Sequence, residues 1–84
     1  MTYIITFRSR RDAILMQEYL AYKRQNSVIQ NASGIVNSVC SVVLKVPNTS
    51  FGSLINKLQN SNVQYSNIYL EKESHGLKNY LSML

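Results

Sequence analysis

One cysteine, one proline, one histidine and no tryptophan occur among the 84 residues of this chain. A lone thiol cannot close an intrachain disulfide, so Cys40 is either a small apolar core residue or a reactive group, and its being unpaired fits a reducing compartment. With one histidine and four Asp and Glu in all, no metal-ligand spacing and no clustered acid pair is present, and no metal or cofactor is expected. The three glycines form no phosphate-binding loop. No apolar run approaches the roughly 20 residues needed to span a bilayer, and Met1 to Thr6 lacks the basic start and longer apolar stretch of an export signal. A cytoplasmic protein that makes no use of a membrane is the natural expectation.

What is present is a basic chain of one small domain, 45% hydrophobic with nine Lys+Arg against four Asp+Glu and a formal charge of +5. At this size a single core can be buried, but stability is marginal. The positive balance fits an anionic ligand, nucleic acid or a plain solvated surface.

From Thr2 to Phe7 the residues alternate, with Tyr3, Ile5 and Phe7 on one face, which is the period of a first strand. Ser9 can cap a helix, with Asp12 three residues on, and Ala13, Met16 and Leu20 carry a helical stripe to about Arg24. Val28-Ile29 start a short second strand that runs into a polar, glycine-containing loop reaching Cys40. Val42 to Val46 make a third strand. Beyond Pro47, Asn48 or Thr49 can cap a second helix with Phe51, Leu54, Ile55 and Leu58 at helical spacing, ending at Asn60-Ser61-Asn62. Val63, Tyr65, Ile68 and Leu70 read as a fourth strand whose phase slips at Ser66-Asn67, as at a bulge. Glu71 to Gly76 reads as a linker, and Leu77, Tyr80, Leu81 and Leu84 recur at the spacing of a short terminal helix.

The order βαββαβ predicts an α+β chain of ferredoxin-like split type, with a four-stranded antiparallel sheet in the order 4-1-3-2, two helices on one face and a short C-terminal helix. Residues 1–72 form the domain and 73–84 an extension. This topology brings Arg8, Ser9, Arg10 and Arg11 to the sheet edge that also holds Ser38, Cys40 and Ser41. A helix N-terminus and nearby cations favour a thiolate, while loop hydroxyls can hydrogen-bond a sulfur anion or a bound oxyanion. The bland alternative is a solvated arginine rim with Cys40 turned inward as the first residue of a buried strand. His75, in the polar linker, reaches Cys40 only if the tail folds back.

Phe7-x-Ser9-x-x-x-Ala13 at the first helix, with Ser38-x-Cys40 entering the third strand, resembles the Se/S carrier-like family of small bacterial domains. The resemblance covers roughly residues 3 to 70 and implies a cysteine that carries sulfur or selenium as a persulfide or its selenium analogue. The family pattern reads Ser-Ser-Cys-Gly with an upstream Pro-Arg, where this chain has Val39, Ser41 and Ser33-Gly34. Ser41 lacks the backbone freedom of the family glycine, and a local cation has to come from Arg8, Arg10 or Arg11.

The leading expectation is therefore a small thiol carrier, an accessory more than a stand-alone enzyme, in which Cys40 takes sulfur or selenium from a donor enzyme. One rival is a non-catalytic small-anion-binding or regulatory module built on the basic edge. Another is a basic nucleic-acid-binding ferredoxin-like domain, against which stands the absence of an evident run of exposed sheet aromatics beside basic residues. A homodimer through the C-terminal segment or an uncovered sheet face would bury the last leucines.

Overall fold

The computed structural model describes residues 1–84 throughout. Strand β1 (Thr2–Thr6) leads into helix α1 (Arg10–Tyr22), followed by β2 (Val28–Asn31), β3 (Val42–Val46), α2 (Phe51–Ser61), β4 (Asn67–Ser74) and β5 (Leu77–Ser82). The strands form one five-stranded sheet in the order β2-β3-β1-β4-β5, and every neighbouring pair is antiparallel.

Local chemistry sets the helix ends. Ser9 sits in extended backbone, and its Oγ accepts the Asp12 N–H at 3.2 Å, satisfying one of the donors that a first helical turn leaves free. At the other end Arg24 takes a left-handed φ of 62°. Its N–H bonds Ala21 O at 3.0 Å and the Gln25 N–H bonds Leu20 O at 2.8 Å, the paired closure that commonly ends a helix. The second helix is capped by Ser50, whose Oγ accepts the Ser53 N–H at 3.2 Å, and not by Asn48 or Thr49. Asn48 instead turns the chain after Pro47 with φ 56°, and Asn62 at φ 59° closes the helix.

The main core lies between the helices and one sheet face. Tyr3, Ile5, Phe7, Val42, Leu44, Val46, Ile68 and Leu70 meet Ala13, Met16 and Leu20 from α1 and Leu54 and Leu58 from α2. The other face is not left bare. Ala32, Ile35 and Val36 of the β2–β3 loop fold onto Ile4 and Val43, with Tyr69 and Tyr80 beside them.

The C-terminal half departs from the sequence reading in three ways. The fourth strand starts at Asn67, and Val63 and Tyr65 lie in the preceding loop, packed against the core. No bulge interrupts it, since its register on β1 is continuous from Thr2 opposite Glu71 to Thr6 opposite Asn67. Finally, Glu71 to Gly76 is no linker and 77–82 is no helix. The stretch is the end of β4, a His75-Gly76 turn and a fifth strand, so the sheet has five strands where four were expected.

The physical reason is the turn and the edge it serves. Both His75 (φ 54°) and Gly76 (φ 78°) have positive φ, the backbone state that lets a two-residue turn match the twist of its strands. A short segment forms a marginal helix in water, whereas β4 offers a row of unpaired backbone groups. The leucine spacing that suits a helix also suits the pleat, because Leu77 and Leu81 fall on one side of β5.

Candidate functional site

The register of β1 on β3 positions the residues singled out in the sequence. Thr6 stands opposite Val43, so Arg8 and Ser9 after β1 and Cys40 and Ser41 before β3 leave the sheet at the same end. Arg8, Arg10 and Arg11 are exposed and none is in an ion pair. Ser9 is also exposed, and its hydroxyl is occupied by the α1 cap.

Cys40 is buried, at 9% exposure, and belongs to the main core. Of the two orientations the sequence left open, Cys40 takes the inward one. The residues before β3 already follow the strand period. Val39 is 89% exposed and Val42 only 8%, so Cys40 shares the inward face with Val42, Leu44 and Val46. Its outer side still borders a cleft of about 420 Å³ formed by residues 31–34 and 36–41, with Ser38 and Ser41 in the lining.

Backbone and side-chain hydrogen bonds shape that loop. Asn31 Oδ1 accepts the Ser33 N–H at 2.9 Å, while Ala32 O accepts the Ile35 N–H at 3.0 Å and Ser41 O accepts the Ala32 N–H at 2.8 Å. Gly34 supplies the positive φ of 76° that this turn requires. Ser41 is exposed. Ser38 Oγ is buried and has no hydrogen-bond partner, a costly state for a hydroxyl that can both donate and accept.

A second, wider groove of about 550 Å³ runs on the helix-free face between this loop and the β4–β5 hairpin. Ile35, Val36, Tyr69, Lys78 and Tyr80 line it, and it shares Gly34, Val36 and Asn37 with the cysteine cleft. Sequence reasoning missed this groove. Its signal was the alternation of Tyr69 and Glu71 with buried Ile68 and Leu70, which the linker reading cut off.

Beside the groove, Glu71 Oε1 lies 3.2 Å from Lys78 Nζ and Oε2 lies 3.6 Å from Lys45 Nζ. The second distance is an ion pair without a hydrogen bond, and Oε2 has no hydrogen-bond donor. The hydrogen bond and charge of Glu71 hold the Lys78 ammonium above its ordinary value of 10.5. Loss of hydration, then the Glu71 charge, raises the Tyr80 phenol above 10.0.

No three His, Cys, Asp or Glu side chains gather as metal ligands, and His75 sits exposed on the hairpin turn. No helix is long and apolar enough to cross a membrane. No family model, curated protein or solved structure matches this chain.

Proposed function

We propose that this chain is a small cytoplasmic thiol protein that accepts sulfur or selenium on Cys40 from a donor enzyme and passes it on, as an accessory and not a stand-alone catalyst. The observation that carries this reading is that Cys40 and Ser38 line one cleft, and that the Ser38 hydroxyl is buried without a partner. Such a hydroxyl can donate to a sulfur anion. Arg8, Arg10 and Arg11, at the same end of the sheet, add an uncompensated positive field.

Loading is a thiol–persulfide exchange. The Cys40 thiolate attacks the outer sulfur of a donor persulfide, a bond forms between Cys40 Sγ and that sulfur, and the bond to the donor's inner sulfur breaks with its electron pair leaving on the donor thiolate. Because Cys40 is largely covered, exchange requires the 32–41 loop to open locally, and few backbone hydrogen bonds hold that loop. For the fold we propose a ferredoxin-like βαββαβ unit with a fifth strand added at the β4 edge.

Intact mass after incubation with a persulfide donor tests the function. The chain should gain the mass of one sulfur, reversibly on addition of a thiol, and Cys40→Ser should gain none. A chain that stays unmodified while a control protein thiol is loaded would refute it.

A second reading rests on a different observation. Arg8, Arg10 and Arg11 are exposed together and lack carboxylate partners, which fits a non-catalytic module that binds a small anion, with Cys40 a core residue. Anion binding that survives Cys40→Ser and is lost in the triple Arg→Gln variant, in a chain that takes up no sulfur, would favour it.

A further inference from the structure

β5 is one of the two edge strands of the sheet, β2 being the other, and its pattern is self-complementary. Leu77 is 71% and Leu81 53% exposed. They lie on the helix side of the sheet, since Leu81 stands opposite buried Leu70 and Leu77 opposite Ser74. Lys78 and Tyr80 lie on the other side, opposite Glu73 and Glu71.

The backbone of β5 is phased to match. The Met83 N–H donates to Ile68 O at 2.8 Å, and in an antiparallel ladder hydrogen-bonded positions alternate. The N–H and C=O groups of Leu77, Asn79, Leu81 and Met83 therefore point to β4. Those of Lys78, Tyr80 and Ser82 point away from the sheet, unpaired. β5 carries no proline and no bulge, the usual devices that block an edge, and its one charged side chain, Lys78, is held over the sheet face by Glu71.

We propose that the β5 edge pairs with the β5 edge of a second copy of this chain, antiparallel about a two-fold axis at Asn79. In that register the outward backbone groups of Lys78 and Tyr80 bond those of Tyr80 and Lys78 in the other copy. Leu77 of each copy meets Leu81 of the other in the non-hydrogen-bonded pairs, where side chains approach most closely. Leucines four residues apart exchange places under a two-fold axis midway between them, so one apolar pair on each strand satisfies both copies. The two sheets join into one.

Light scattering across a concentration series, with a crosslinking readout of register, tests this. The wild-type chain should approach twice its 9.6 kDa mass as concentration rises, and the double variant Leu77→Lys, Leu81→Lys should remain at the single mass with unchanged circular dichroism. In a Cys40→Ser background, Asn79→Cys should form an intermolecular disulfide with oxidised glutathione. Non-hydrogen-bonded partners bring Cα atoms to about 4.5 Å, within disulfide range. Lys72→Cys, in the interior neighbour strand, should not crosslink. A chain that stays at the single mass at every concentration, a dimer indifferent to the double lysine variant, or a dimer without the Asn79 crosslink would each overturn the proposal.

Discussion

Lys78 Nζ lies 3.2 Å from Glu71 Oε1, and this contact ties β5 to β4 across a carboxylate whose side chain is only 8% exposed. The hairpin is thereby fixed by charge on the face where it has no helix to lean on. Glu71→Gln leaves Lys45 and Lys78 beside a neutral amide. It should lower the urea midpoint of unfolding, because the largely covered carboxylate loses its charge while the two ammonium groups stay.

The same contact sets an alkaline limit. The folded state holds the Lys78 proton above 10.5 and the Tyr80 proton above 10.0, so unfolding releases protons at high pH. Stability from these groups is complete below their unfolded values and is lost as pH climbs through the raised folded ones. The melting temperature should fall as pH rises beyond about 10, and Lys78→Met should flatten that fall while leaving the neutral-pH fold intact.

The turn joining the two strands is the next test. Gly76 at φ 78° and His75 at φ 54° occupy backbone space that most side chains resist. Gly76→Ala should cost about 1 kcal/mol, and His75→Asn should stabilise by a fraction of that, because asparagine tolerates the left-handed state. Thermal melts of the two variants read the opposite signs.

Ser38 separates stability from function. Its buried hydroxyl has no partner, so Ser38→Ala removes an uncompensated polar group and should leave the melting temperature unchanged or higher. If that hydroxyl serves the sulfur of Cys40, the same variant should load sulfur more slowly from a persulfide donor. Unchanged loading would remove Ser38 from the site.

The N-terminal half was legible because each local signal agreed with the fold. Tyr3, Ile5 and Phe7 alternate into the core, and Ser9 caps α1 as the Ser9-x-x-Asp12 spacing suggests. The last strand was not legible, because Leu77 and Leu81 fit helical and pleated spacing alike and the decisive cue was the two-residue turn before them. For Cys40 the sequence indicated its place but not its orientation. The two-residue period that buries Cys40 with Val42, Leu44 and Val46 starts before the strand does, inside residues that read as polar loop. The arginines share its end of the sheet through the β1–β3 register, yet what faces them was not encoded in spacing.

The sulfur-carrier reading stands on Cys40 being reachable without unfolding the molecule, although it packs in the core at 9% exposure. The most direct measurement is the rate of iodoacetamide alkylation of Cys40 in the native chain beside the rate of global unfolding under the same conditions. Opening of the 32–41 loop predicts alkylation far faster than unfolding and little changed when the core is stabilised by ligand-free means such as sucrose. Alkylation that proceeds no faster than the chain unfolds would contradict a carrier role and leave Cys40 a core residue.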